Sequence, residues 1–146
     1  MALALVTGAT GFIGRHLVRA LLARGDRVRC LVRPTSQLAG LDAPRLETVV
    51  GEVVTGEGLA AALAGVEVVY HLAGATLALT AADYDRVNRG GTRLLAAACA
   101  ACDRPPVLVV VSSLAAAGPS HGTPRAEEEP PAPVSNYGRS KRAAEE

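Results

Sequence analysis

Short apolar runs alternate with longer stretches of helical periodicity along this chain, and that alternation limits the folds open to it. In the first helical stretch, Ile13, Leu17 and Leu21 recur every fourth position, as residues on one helix face do. Strands and helices that alternate through right-handed crossovers build a doubly wound parallel sheet. We therefore predict an α/β fold with about five strands. The predicted strands are Leu3–Val6, Val28–Val32, Leu46–Val50, Val66–Ala73 and Val107–Val111.

The stretches between these strands predict helices and one long loop. The last strand is apolar on both faces, which predicts that helices cover both faces of the sheet. Five prolines between Gly118 and Ser135 predict a long loop. Thr35 or Ser36 is predicted to cap a short helical turn before Gly40. The predicted helices are Ile13–Leu21, Leu59–Ala64, Ala81–Cys102 and a last one from about Asn136.

The composition is that of one folded domain, predicted to span residues 1–146. Of the residues, 49% are hydrophobic and 20% are charged, which excludes a disordered chain. The net charge of +1 leaves no polycationic surface for nucleic acid. Three cysteines are too few for a disulfide framework. Cys99 and Cys102 lie within a predicted helix without a second ligand pair, so packing is favoured over a metal site.

No membrane or secretory segment is predicted. The uncharged stretch Val68–Ala82 is shorter than the roughly 18 apolar residues of a membrane helix. The chain runs from Met1 directly into an apolar strand, without the basic region of a secretory signal. These features predict a cytoplasmic protein.

A glycine-rich turn joins the first strand to the first helix. Gly8 permits a tight exit from the strand, and Gly14 permits close packing of the helix on the sheet. Gly11 leaves room for a pyrophosphate at the helix N-terminus, where free N–H groups and the helix dipole favour anions. The turn predicts a dinucleotide site, with a plain packing turn as the alternative.

Arg33 follows the second strand, where dinucleotide-binding folds select between cofactors. An acidic residue at this place holds the ribose 2′-hydroxyl of NAD, whereas an arginine suits the 2′-phosphate of NADP. No acidic residue lies between Arg27 and Gln37. NADP is therefore the favoured cofactor and NAD stays open, with a solvent-exposed arginine as the structural alternative.

Tyr137 and Lys141 lie four residues apart, on one face of the last predicted helix. Phenols ionise only near about pH 10, and a neighbouring ammonium group stabilises the phenolate. The pair therefore predicts acid–base chemistry at neutral pH. Ser113 follows the fifth strand at the sheet edge where ligands bind, and could hold a substrate carbonyl. Ser112 is predicted to make a strand-end hydrogen bond instead.

Five motifs now carry a family resemblance: TGATGFIG, HLAG, NRGGT, VSSLAAAG and YGRSK, in this order. The chain resembles the extended short-chain dehydrogenases/reductases, also called the NAD-dependent epimerase/dehydratase family. The LVRP sequence after the second strand is most similar to the dihydroflavonol-reductase-like branch and to related sugar-epimerase branches. The resemblance implies a Rossmann-type fold and hydride transfer at a carbonyl or a secondary alcohol.

The same resemblance implies roles for individual residues. Ser113, Tyr137 and Lys141 would form the catalytic triad, with Asn88 supporting the lysine through the long helix. Tyr137 would move the proton while the nicotinamide gives or takes hydride. The expected pyrophosphate contacts are Gly8, Gly11, Phe12, Ile13 and Gly14, and the expected adenosine ribose contacts are Ala73 and Gly74.

Two departures from the family pattern affect these expectations. Where the family usually has an aspartate near the adenine, this chain has Glu52, followed by Val53, and we expect both to contact the cofactor. The family also continues past the Tyr-x-x-x-Lys helix with another strand and a substrate-binding region, so the chain resembles an N-terminal half.

Two function classes stay open from the sequence. The first is an enzyme acting on a small carbonyl or nucleotide-sugar-like substrate, and the second is a dinucleotide-binding module without turnover. Without the family's C-terminal region, apolar surface would be uncovered, which predicts a homo-oligomer.

Overall fold

The computed structural model describes residues 2–37, 43–120 and 122–146 of the chain. Five parallel strands form one sheet in the order β3-β2-β1-β4-β5. The strands are β1 (Leu3–Thr7), β2 (Arg27–Val32), β3 (Leu46–Val50), β4 (Val68–His71) and β5 (Val107–Val110). The predicted doubly wound parallel fold is confirmed, and β4 is two residues shorter at each end than predicted.

Helices connect the strands. They are α1 (Phe12–Ala23), α2 (Leu59–Leu63), α3 (Ala81–Asp85), α4 (Gly91–Ala100), α5 (Leu114–Ala117) and α6 (Asn136–Glu145). The short α5 was not predicted. Within the described residues, the segment from Gly118 to Ser135 contains no helix or strand, as predicted. The part of the predicted turn next to Gly40 lies outside the described residues.

The central strand β1 separates two apolar layers, and every one of its residues is buried. Leu3 and Leu5 face a cluster that includes Leu95 of α4, while Val6 packs with Val18 of α1 on the other side. Successive residues of a strand point to opposite faces, so a run of apolar residues serves both layers. The expectation of helices on both faces holds at this strand.

The same expectation is wrong at β5. Val107 is 63% exposed and Val109 is 39% exposed, whereas Leu108 packs against the core. The physical reason is position: β5 is an edge strand whose inner face contacts α4, while α1 packs against β1 and β2. An apolar run therefore identified the strand but not the burial of both of its faces.

The long helix predicted over Ala81–Cys102 is interrupted. Between α3 and α4 lies a π-helical segment, Arg86–Gly90, which we call the π segment. Helical backbone angles continue through both junctions, so the axis is one helix with a wider turn inside it. The Thr92 hydroxyl donates to the Asn88 carbonyl at 2.6 Å, and such a bond competes with the regular helical pattern. Wider turns of this kind are frequent at functional sites.

Candidate functional site

Two adjoining cavities open above the carboxyl ends of β1 and β4. The Arg33 cavity has a volume of about 380 Å³, and the Tyr137 cavity has about 370 Å³. Predicted site residues lining only the Arg33 cavity are Arg33, Glu52, Val53 and Ala73. Those lining only the Tyr137 cavity are Phe12, Ile13, Gly14, Asn88, Tyr137 and Lys141. Gly8, Gly11 and Gly74 line both cavities. Of the predicted site residues, Ser113 alone lines neither cavity.

A larger cavity, of about 940 Å³, lies at the opposite edge of the sheet. It is formed between α2 and the connection from α4 to β5, with Glu67, Cys102 and Arg104 among its lining residues. None of the predicted site residues lies there. Because ligands of open α/β sheets bind at the carboxyl ends of the strands, the two smaller cavities are the better candidates.

The three glycines of the β1–α1 turn have different structural needs. Gly8 has a φ of +70°, and a β-carbon there would lie 2.7 Å from the Ala73 backbone nitrogen. A β-carbon at Gly14 would lie 2.2 Å from the Gly8 carbonyl oxygen. At Gly11 the nearest atom would be the Gly8 oxygen, at 3.3 Å. Packing therefore explains why glycine is needed at positions 8 and 14. It gives no comparably strong reason for glycine at position 11.

The N-terminus of α1 has the features of an anion site. Its N-cap is Gly11, which supplies no side-chain hydrogen bond, and the first turn holds no acidic residue. The first N–H groups of a helix have no partner within the helix, so they are available to a ligand. Phe12 and Ile13, at the start of this helix, are 81% and 59% exposed. This end of the cavity therefore suits an anionic group in charge.

The other wall of the Arg33 cavity comes from the loops after β2 and β3. Arg33 is exposed, and its backbone N–H donates to the Ser36 hydroxyl at 3.0 Å. The Glu52 N–H donates to the Glu57 carbonyl at 3.0 Å, which holds the next loop in place. Val53 is buried. The exposed Arg33 guanidinium is compatible with both readings from the sequence, the 2′-phosphate contact and the solvent-exposed side chain.

Beneath the cavities, His71 occupies the centre of a buried hydrogen-bond chain. Its Nδ1 lies 2.7 Å from the Thr7 hydroxyl, and its Nε2 lies 3.0 Å from the Thr92 hydroxyl. Because the Thr92 proton is donated to Asn88, the ring must donate from Nε2 and accept at Nδ1 from Thr7. Thr7 in turn accepts the Ala73 N–H at 3.2 Å. The ring is buried, and both of its nitrogens are hydrogen-bonded.

Asn88 connects the loop after β4 with the last helix. Its side-chain oxygen accepts the Ala75 N–H at 2.7 Å, and its amide group donates to the Ala75 carbonyl at 3.0 Å. The same amide group donates to the Ser140 hydroxyl at 2.9 Å. Asn88 thus contacts Ser140, the neighbour of Lys141, and any support for the lysine is indirect.

Tyr137 and Lys141 face the same cavity from α6. The Tyr137 ring lies 6.0 Å from the Tyr84 ring, centroid to centroid. The Lys141 ammonium is buried and donates to the Val111 carbonyl at 2.7 Å. Burial lowers the pKa of Lys141, and the nearby Glu145 carboxylate opposes that shift. The tyrosine and the cation stand together in one cavity, as acid–base chemistry requires.

The two serines after β5 have different surroundings. The Ser113 hydroxyl accepts the Ala115 N–H at 3.2 Å and caps α5. Ser112 lines the Tyr137 cavity, and its hydroxyl bonds to the Glu145 carboxylate. The hydrogen bond expected of Ser112 is therefore present, whereas the predicted substrate contact of Ser113 stays a prediction.

Large apolar side chains surround this edge of the sheet. They follow β1, β4 and β5 or precede α6, and each is more than half exposed. We call them the apolar rim: Phe12, Ile13, Leu77, Leu79, Leu114 and Val134. In the described part of the chain, no helix is long and apolar enough to cross a membrane. The same residues contain no group of three or more His, Cys, Asp or Glu side chains that could hold a metal ion.

Known proteins resemble this chain in sequence and in fold. Residues 4–146 match the NAD-dependent epimerase/dehydratase family. The chain is 40% identical to ceramide reductase of Caulobacter vibrioides, covering 97% of this chain and 40% of that protein. It is 37% identical to a dihydroflavonol 4-reductase-like protein of Synechocystis, covering 88% of this chain and 38% of that protein.

A solved structure of UDP-glucuronic acid 4-epimerase from Bacillus cereus, in complex with NAD, superposes with a TM-score of 0.81. The two sequences are 29% identical, and the match covers 98% of this chain and 50% of the epimerase. The chain thus spans half or less of the length of these three proteins. The fold and the family match agree, and the chain belongs to the NAD-dependent epimerase/dehydratase family.

Proposed function

We propose that this chain binds a nicotinamide dinucleotide across the Arg33 and Tyr137 cavities, with NADP preferred over NAD. The diphosphate would contact the N–H groups at the start of α1, beside Gly11. Arg33, at the far end of its cavity, would hold the 2′-phosphate. Glu52 and Val53 would line the adenine, and Ala73 and Gly74 the adjoining ribose.

We further propose acid–base chemistry by Tyr137 in a hydride-transfer reaction at a carbonyl or a secondary alcohol. The observation that carries it is that Tyr137, Lys141 and the Gly11–Gly14 turn line one cavity. When bound, the nicotinamide supplies or accepts hydride. Tyr137 gives a proton to the substrate oxygen or removes one, and the Lys141 ammonium stabilises the phenolate that forms. Ser113 would hold the same oxygen after releasing its capping bond.

The apolar rim favours a substrate with a large apolar part. Leu77, Leu79 and Leu114 are each at least 90% exposed around the edge that holds Tyr137. Exposed apolar patches of this kind mark binding surfaces. The name of the ceramide reductase relative points the same way, because ceramide is a lipid. A nucleotide sugar is the second candidate, since a similar fold carries UDP-glucuronic acid 4-epimerase activity by name.

One experiment separates an enzyme from a binding module. The wild-type chain, Tyr137→Phe and a matched control, Tyr84→Phe, are titrated with NADPH and NADH and then assayed with ketones of increasing hydrocarbon size. We expect tighter binding of NADPH than of NADH in all three proteins. Turnover should be lost in Tyr137→Phe, by at least about a hundredfold, and kept in Tyr84→Phe.

Each other result has a defined meaning. Equal turnover in wild type and Tyr137→Phe would remove this tyrosine from the mechanism. Cofactor binding by all three proteins with turnover by none of them would support the non-catalytic dinucleotide-binding module. Absence of NADPH and NADH binding would contradict the proposed cofactor site altogether. The cytoplasmic location and the homo-oligomer stay predictions from the sequence.

A further inference from the structure

Cationic side chains are scarce around the two cavities. Among the described residues that line them, the cations are Arg33, Arg86 and Lys141. The Lys141 ammonium is buried and already donates to the Val111 carbonyl. Arg33 has the predicted role at the 2′-phosphate. Arg86 is left as a cation on the cavity wall to which the sequence assigned no role.

Arg86 is placed on the wall by the π segment, which it begins. With its neighbour Val87 it lines the Arg33 cavity, which also has Arg33, Gly11 and Gly74 in its walls. A guanidinium group presents several N–H donors in a planar fork that matches phosphate oxygens. An arginine on this wall is therefore suited in chemistry to an anionic ligand.

The existing ion pair of Arg86 is weak. Its guanidinium lies 3.7 Å from the Asp83 carboxylate, and the two side chains are 62% and 43% exposed. Exposed pairs of this kind contribute little. The Asp83 carboxylate also accepts a hydrogen bond from the Thr80 hydroxyl at 2.7 Å, within the N-terminal cap of α3. Arg86 can exchange this contact for a ligand at small cost.

The charge of the proposed cofactor calls for a further cation. The diphosphate carries negative charge in both NAD and NADP, and the 2′-phosphate adds more in NADP. The N-terminus of α1 supplies only about half a positive charge. Glu52, which also lines the cavity, adds a negative charge of its own. Arg33 alone leaves much of the ligand's charge without a partner.

We infer that Arg86 is a cofactor-binding residue whose guanidinium contacts a phosphate group of the dinucleotide. The inference rests on the proposed function, because it assumes that a dinucleotide occupies the Arg33 cavity. Two phosphate sources on the ligand share this chemistry, the diphosphate and the 2′-phosphate. Comparing NADPH with NADH distinguishes them.

The test compares dissociation constants of NADPH and NADH for four proteins: wild type, Arg86→Gln, Arg86→Lys and Arg89→Gln. Arg89 is the matched control, since it also lies in the π segment, is 60% exposed and pairs with Asp85 at 3.9 Å, but does not line either cavity. We expect Arg86→Gln to weaken NADPH binding about tenfold or more. Arg86→Lys should recover part of the affinity, and Arg89→Gln should bind as wild type does.

Comparing NADPH with NADH shows which phosphate group Arg86 contacts. A loss of similar size for NADPH and NADH would assign Arg86 to the diphosphate, and a loss for NADPH alone would assign it to the 2′-phosphate. Thermal melting of each variant checks the fold, and partial recovery in Arg86→Lys would show that the positive charge matters. Wild-type affinity in Arg86→Gln would overturn the inference and leave the proposed function standing. Absence of binding by wild type would overturn both.

Discussion

His71 shows how much a single buried side chain connects. Its ring links Thr7 at the end of β1 with Thr92 of α4, and through Thr92 with the carbonyl of Asn88. The sequence indicated a histidine at the end of a buried strand, and that much could be predicted. The two threonine partners lie 64 and 21 residues away, so the hydrogen-bond chain depends on the tertiary fold and could not be predicted.

The neutral His71 ring should make folding stability depend on pH. Burial lowers the pKa of His71 to about 4, and the Lys141 ammonium adds to the effect. In the unfolded chain the ring takes up a proton below about pH 6.5, whereas in the folded chain it stays neutral until about pH 4. Its contribution is therefore complete above pH 6.5 and declines as the pH falls to about 4. Between pH 7 and pH 5 we expect a loss of about 2 kcal/mol.

Urea unfolding of wild type and His71→Gln at both pH values measures this contribution. Glutamine keeps a donor and an acceptor but does not titrate, so the wild type should lose more stability than the variant. NMR titration of the wild-type ring is an independent check if the variant folds poorly. A His71 resonance that titrates near pH 6.5 in the folded protein would contradict the prediction.

At the scale of single elements, the structure departs from the sequence where neighbours decide the outcome. The periodicity of the chain predicts a helix from Ala81, and Thr80 caps it as expected of a helix start. The π segment inside that helix includes Asn88, whose carbonyl accepts the Thr92 hydroxyl, and Thr92 in turn contacts His71 on another element. The outer face of β5, with Val107, is exposed for a similar reason: the sequence cannot show which strand lies at the edge.

Two glycines of the same turn should lose different amounts of stability when replaced by alanine. In Gly14→Ala the new methyl group would overlap the Gly8 carbonyl, so the free energy of unfolding should fall by about 2 kcal/mol or more, despite the better helix propensity of alanine. In Gly11→Ala the methyl group is nearly accommodated, and the loss should be about 1 kcal/mol at most. NADPH affinity should nevertheless fall in Gly11→Ala, because the methyl group occupies the space proposed for the diphosphate.

Chemical denaturation and NADPH titration of both variants provide the measurements. Gly56→Ala is a poor control because its φ of +79° strains any other residue. Gly90→Ala is a better one, since its nearest contact would be 3.7 Å away. Unchanged NADPH affinity in a folded Gly11→Ala would place the diphosphate elsewhere.

For the whole molecule, the fold could be predicted because the strands and helices indicated by the sequence are those of a doubly wound parallel sheet. β3 begins at Leu46 and ends at Val50, as predicted, and the alternation of strands and helices indicated the parallel sheet. Every predicted site residue except Ser113 lines a cavity wall, since the carboxyl ends of parallel strands share one edge. Arg86 and Val87 were missed, because a position on a long helix carries no motif that would indicate a cavity wall.

The apolar rim and the exposed face of β5 bear on association. Leu79 is 99% exposed and Leu114 is 90% exposed, and burying such side chains against a second copy would be favourable. We therefore expect the purified chain to form a homo-oligomer. Light scattering across a range of concentrations measures its mass, and a monomer at every concentration would contradict this expectation.

The unequal constraints on the glycine turn also have an evolutionary consequence. Selection for folding alone is enough to keep Gly8 and Gly14, because other residues there meet backbone atoms. Selection for folding acts only weakly on Gly11. In a lineage that abandons its dinucleotide, the outer two glycines should persist while the middle one drifts. Among descendants of such a chain, Gly11 would therefore report whether the ancestral ligand is still in use.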